Sequence, residues 1–166
     1  MEVQHVIFEK SDWVPNNPSL PVLLYKSVFI TKNGSEEFAR LFTSHGWQGV
    51  WRNGVFDYQH YHSGAHEVLG VGKGQARLLI GGPTGSVFEV SAGDCILLPA
   101  GTGHMNLGAS GDFEVVGAYP NGQHADIQTN APSKEASATI VSLPVPETDP
   151  VQGAAGAMMT AWRREI

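Results

Sequence analysis

Cysteine is almost missing from this chain: Cys95 is the single one in 166 residues. That excludes an intramolecular disulfide and any zinc site built from several thiolates. Charge is sparse too. Charged residues make up 16% of the chain, and 10 basic side chains face 16 acidic ones for a net charge of −6. The densest basic spot is the pair Arg163-Arg164. An extended phosphate-binding surface, and nucleic acid as a partner, are therefore not expected. No apolar run approaches the roughly 20 residues of a membrane-spanning helix. Residues Met1 to Lys10 carry Glu2, His5, Glu9 and Lys10 and lack the apolar core of a secretory leader. The expectation is a cytoplasmic protein without a membrane partner.

Glycine is in excess, with 20 Gly beside 10 Pro. They separate short apolar runs, the signature of an all-β sandwich or barrel. Residues 1–46 read as an N-terminal arm with one short helix. Trp13-Val14-Pro15-Asn16-Asn17-Pro18 cannot be a helix interior, and Leu23 to Ile30 reads as a strand. Ser35 reads as a helix N-cap, with Glu36 and Glu37 placed against the helix dipole. Phe38, Leu41 and Phe42 recur at helical spacing, and Gly46 ends the helix. Residues 47–120 read as the β core, with strands expected at 56–62, 67–71, 76–80, 87–90, 95–98 and 113–119. Residues 121–166, rich in Pro, Ala, Ser and Thr, read as a tail whose apolar end, Met158-Met159 to Trp162, docks on the body.

Seven histidines are present, and His60, His62 and His66 fall within seven residues, followed at once by Glu67. Residues i and i+2 of a strand share a face, so His60 and His62 can present imidazoles to one ion. A turn at Ser63-Gly64-Ala65 returns the chain and brings Glu67 alongside, and His104 can complete the set. Only one of the neighbours His66 and Glu67 faces inward in regular strand geometry. Three imidazoles and a carboxylate suit one divalent transition metal: Fe, Mn, Co, Ni, Cu or Zn.

The spacing is Gly54, five residues, His60-x-His62, four residues, Glu67, six residues, Gly74; then Gly93, five residues, Pro99-x-Gly101, two residues, His104. These two blocks resemble the paired motifs of the cupin superfamily. The usual Asn four residues after the last His is replaced by Gly108, with Asn106 nearby as a substitute. The phrase His60-Tyr61-His62-Ser63-Gly64-Ala65-His66-Glu67-Val68-Leu69-Gly70-Val71 is similar to the YjlB-like group of single-domain cupins, as is the Asp149-Pro150-Val151-x-Gly153 tail. The resemblance implies a double-stranded β-helix, the cupin jelly-roll barrel. It implies His60, His62, Glu67 and His104 as metal ligands, with His66 in the next layer or outside. It also implies a Glu67 carboxylate able to leave the metal and take a proton during turnover. Cupins often pair as homodimers, and both Leu23–Ile30 and the Met158-Met159 to Trp162 tail are candidate contacts.

Tyr58 and Phe56 share parity with the histidines; Tyr58 is a candidate catalytic residue beside Glu67, and Phe56 reads as core. Leu69 and Val71 give an apolar inner wall. His124 and Asp126 read either as an acid–base pair at the barrel mouth or as a solvated loop. Arg52 and Arg77 are candidates for holding a substrate carboxylate, with Arg77 facing outward and Arg52 in an ion pair as the plainer readings. Cys95, without a basic neighbour, reads as an inert buried thiol. His5 and His45 read as surface residues. Gly93 and Pro99-x-Gly101 read as turn-formers. The function expected is a metalloenzyme acting on a small organic molecule, of dioxygenase or Lewis-acid isomerase or decarboxylase type. A non-catalytic small-ligand-binding module is the alternative.

Overall fold

The computed structural model describes residues 1–163, so Arg164 of the basic pair lies outside it. The strands are β1 (Glu2–Val6), β2 (Val22–Lys26), β3 (Gln48–Asn53), β4 (Glu67–Lys73), β5 (Gln75–Ile80), β6 (Ser86–Ser91), β7 (Cys95–Leu98), β8 (His104–Ala109) and β9 (Glu114–Tyr119). The helices are α1 (Ser35–Ser44), α2 (Lys134–Ser142) and α3 (Ala157–Ala161). Two antiparallel sheets form, one in the order β1-β2-β7-β4-β9-β3 and one in the order β6-β5-β8. They face each other as an all-β jelly-roll barrel. Among the described residues no helix is long and apolar enough to cross a membrane.

Three layers explain the burial pattern. Between the sheets lie Leu24, Leu69, Val71, Ile96 and Val115 from the large sheet against Leu78, Ile80, Phe88 and Val90 from the small one. A second core covers the outer face of the large sheet. There Phe38 and Phe42 of α1, Trp47, Met158 and Trp162 pack on Leu23, Tyr25, Val68, Leu97 and Val116. The large sheet is thus covered on both faces, and β4 is buried at six consecutive positions. The small sheet has one face to solvent, so β5 alternates exposed and buried along most of its length. Gly70 is dictated by this layering: a Cβ there would stand 2.5 Å from the Phe38 ring.

Residues 1–46 supply β1 and β2, which hydrogen-bond into the large sheet through β7. The helix runs where its spacing placed it, but its cap differs. Gly34 is the N-cap, and Ser35 is the first helical residue, with its hydroxyl donating to Glu114 Oε1 at 2.7 Å. At the other end Gly46 adopts φ 81° while Trp47 N–H bonds Phe42 O and Gly46 N–H bonds Thr43 O, a Schellman closure. Gly93 and Gly101 also hold positive φ, as their turns require.

Two expectations fail in instructive ways. The tail carries helices α2 and α3 where its composition indicated none; Ser133 caps α2 by accepting from Ala136 N–H. Residues 56–62 are not a strand. His60 and His104 exchange both backbone hydrogen bonds, which in a regular ladder would pair Tyr58 with Asn106. Asn106 N–H instead bonds Phe56 O at 2.8 Å. Two residues are therefore extruded, and Tyr58 is pushed outward.

The two segments expected to form a dimer contact are each partly buried within the chain, while Ile30 at the end of the first is exposed. Leu23, Tyr25, Met158 and Trp162 are fully buried, and β2 is paired on both edges.

Candidate metal centre

His60, His62 and His104 are buried, and one ring nitrogen from each lies within 4.8 Å of the others. Glu67 lies beside two of them: its Oε1 is 3.2 Å from His62 Nε2 and 3.5 Å from His104 Nε2. Atoms each about 2.1 Å from one ion stand roughly 3 Å apart when adjacent, so these separations fit a shared ion. Register turns the neighbours His66 and Glu67 in opposite directions. Glu67, Leu69 and Val71 face into the barrel, whereas His66 turns away, accepts Ala100 N–H on Nδ1 at 2.9 Å and packs against Trp162.

Each histidine has its other nitrogen committed. His60 Nδ1–H donates to Tyr58 O at 3.1 Å and His104 Nδ1–H to Thr102 O at 3.0 Å. His62 Nδ1–H donates to the Asp126 carbonyl in a short contact. A carbonyl acceptor fixes the tautomer and aims Nε2 at the centre, which is how second partners orient metal ligands. The extruded residues serve this purpose directly, because a regular ladder would engage the Tyr58 carbonyl that His60 uses.

Residues 120–128 form a strap over this loop. The Asp126 carboxylate accepts Ser63 N–H and Gly64 N–H, both at 2.8 Å, the Ser63 hydroxyl, and Gln128 Nε2 at 2.9 Å. Tyr61 and Gln128 bridge backbone to backbone, and Gln123 Oε1 accepts His66 N–H. A Cβ at Gly64 would collide with the His124 carbonyl beneath the strap. Asp126 therefore does not pair with His124; it locks the turn between His62 and Glu67.

The electrostatics follow from burial around one carboxylate. Burial and the neighbouring His104 depress His60 to about 3. Burial depresses His62 as well, but the Glu67 carboxylate outweighs it and lifts the ring to about 9. Burial alone would raise Glu67, yet His62 and His104 hold it below the ordinary carboxylate range. Tyr119 is raised by burial and then by the neighbouring Glu67. Trp51 Nε1–H donates to the Tyr119 hydroxyl at 2.8 Å.

A cavity of about 400 Å³ opens above these groups, lined by Trp51, Asn53, Gly54, Val55, Phe56, Leu69, Tyr119, Ala125 and Ile127 with the three histidines and Glu67. Several expectations are corrected here. Tyr58 is 43% exposed, stacks on Phe56 and is absent from the lining, so its proposed catalytic role is set aside. Phe56 stands at the mouth rather than in the core. Asn106 accepts Gly108 N–H in its own strand. Arg52 pairs with Val116, whose side chain lies on the outer face, so Arg52 points away from the cavity. Arg77 faces solvent beside Glu89. Cys95 is buried and its thiol raised by desolvation. His45 has a partner: its Nδ1–H donates to Pro150 O at 3.0 Å. Asp126, read above as half of an acid–base pair or as part of a solvated loop, instead holds the Ser63–Gly64 turn, and Tyr119 is the lining residue that the sequence reading missed, its one trace being the inward parity of Val115 and Gly117.

No family model matches the chain. The uncharacterized protein YjlB of Bacillus subtilis (strain 168) is 36% identical over 163 residues, covering 97% of each chain. The chain belongs to the YjlB family. Among solved structures, procruciferin, an 11S globulin from Brassica napus, is similar at TM-score 0.39 and 18% identity, over 74% of this chain and 30% of its own. Within the family so identified, the three clustered histidines can hold a metal ion.

Proposed function

We propose that this chain is a cupin-type metalloenzyme acting on a small organic molecule, with His60, His62, His104 and Glu67 holding one divalent transition metal. The observation that carries the reading is the commitment of all three Nδ1 atoms to backbone carbonyls while Glu67 Oε1 stands 3.2 and 3.5 Å from two Nε2 atoms. Three neutral imidazoles and one carboxylate suit borderline first-row ions. Such a metal supplies Lewis acidity toward a carbonyl or, as Fe, Ni or Cu, a site for O2 chemistry.

The protein's own groups do the rest. The apolar walls exclude water and strengthen the charge interactions at the floor. Glu67 is the acid–base group facing the cavity, and Tyr119 lines the same cavity with a hydroxyl that accepts from Trp51 Nε1–H. Tyr58 is given no chemical role.

Metal content by mass spectrometry tests the assignment. Wild type should carry close to one ion per chain after loading, and His60→Ala and Glu67→Ala should lose it. His66→Ala should retain it, since its imidazole points at Ala100. Loading that survives His60→Ala but not His66→Ala would overturn the ligand set.

A further inference from the structure

The cavity walls carry a charge pattern that restricts what can enter. Among the described residues no Lys or Arg lines the cavity, and Glu67, on the floor, is the one acidic side chain there. This is enforced by sheet parity. Arg52 sits between the lining residues Trp51 and Asn53 but on the opposite face, paired with Val116. Arg77, on the small sheet, faces solvent 3.9 Å from Glu89. Polar groups on the wall are few and partly spent, since Trp51 Nε1–H is committed to the Tyr119 hydroxyl. The remainder is apolar, and Phe56 and Ile127 carry that character to the mouth at 45% and 53% exposure. A volume of about 400 Å³ is near the small end of the roughly 300–1,000 Å³ range of small-molecule sites.

An anionic tail entering this space loses its hydration against hydrocarbon and meets no counter-charge, which is costly. An apolar tail gains by the same burial. From these observations we infer that the site takes an uncharged, mostly apolar small molecule with a polar head directed at the histidine–glutamate floor, and rejects dicarboxylates and phosphate esters. The inference rests on the metal-site reading, and the test separates the two.

The probes are 4-methylbenzohydroxamic acid and 4-carboxybenzohydroxamic acid, which share a chelating head and differ only at the tail. Titration calorimetry uses the Co(II)-loaded full chain, with metal content measured on the same sample and the Co(II) absorption spectrum as a second readout. The methyl probe should bind about tenfold or more tightly than the carboxylate. Ile127→Lys, a change at a half-exposed position, should shrink or reverse that ratio. Co(II) loading with equal or preferred binding of the carboxylate would overturn this inference and leave the metal site standing. An unchanged ratio in Ile127→Lys would overturn the wall as its cause. A chain that takes up no Co(II) would overturn both readings.

Discussion

Asp126→Ala probes the strap and the metal site together. The carboxylate accepts four hydrogen bonds, two of them from the amides of Ser63 and Gly64, and these donors outweigh burial and hold it at about 2. Against an ordinary value of 3.8, that depression corresponds to roughly 2.4 kcal/mol at 1.36 kcal/mol per unit. Asp126 is substantially solvated, which reduces the figure to about 1 kcal/mol. Leaving the Ser63 and Gly64 amides without their acceptor brings the expected loss to about 1–2 kcal/mol. Because the folded-state value is depressed, this stabilisation is complete above about 4 and is lost as pH falls through about 2. Thermal melts at pH 7 should show the variant a few degrees below wild type, with the gap closing toward pH 2. The same residue supplies the carbonyl that orients His62, so metal affinity, read by chelator competition, should fall about tenfold or more. His124→Ala, at an exposed side chain with no bond to Asp126, should change neither. An Asp126→Ala protein that melts with wild type at pH 7 would refute the strap argument. One that is destabilised but binds metal unchanged would refute its link to His62.

Gly70→Ala pushes a Cβ to 2.5 Å from the Phe38 ring and should cost about 1–3 kcal/mol in urea unfolding, whereas Arg77→Ala on the solvent face should stay within about 0.5 kcal/mol. Trp162→Ala removes a fully buried ring and the Nε1–H bond to Pro21 O at 2.8 Å; a loss of about 3–5 kcal/mol in the same assay would show that the tail is part of the core. His62, lifted to about 9 in the metal-free protein, is protonated at pH 7, and a metal needs it neutral. Loading at pH 7 should therefore release about one proton, measured by calorimetry in buffers of different ionisation heat. Apparent affinity should rise about tenfold per pH unit up to roughly pH 9.

The fold was legible wherever burial was one-sided or a turn was forced. The small sheet alternates, so residues 76–80 and 87–90 read directly as strands, and Gly46 with Trp47 closes α1 where glycine was expected to stop it. Strand β1 was hidden because it is a sheet edge: Glu2, Gln4 and His5 are exposed, and its pairing with β2 is a backbone matter. Helix α2 was hidden because it buries only Ile140 and draws its start from a Ser133 cap rather than from an apolar stripe. The coverage of both faces of β4 left no alternation in Val68-Leu69-Gly70-Val71, so only parity with Glu67 marked Leu69 and Val71 as the inner wall, where they lie.

The site itself shows how a cluster of side chains can be anticipated from an element that does not form. Parity in a supposed strand brought His60 and His62 together, yet that strand is broken by two extruded residues. What survives is the single bridge from His60 to His104, which sets their rings 4.1 Å apart. The break is useful because it releases the Tyr58 carbonyl to fix the His60 tautomer. That carbonyl, like those of Thr102 and Asp126, belongs to no side chain, and any residue type can supply it. The identity of the candidate ligands is therefore written in residue types and spacing, while their orientation is written in backbone positions set by β8 and by a strap some 60 residues downstream. Only Asp126 offers a side-chain clue to the second layer, and its donors, the amides of Ser63 and Gly64, have no signature in sequence.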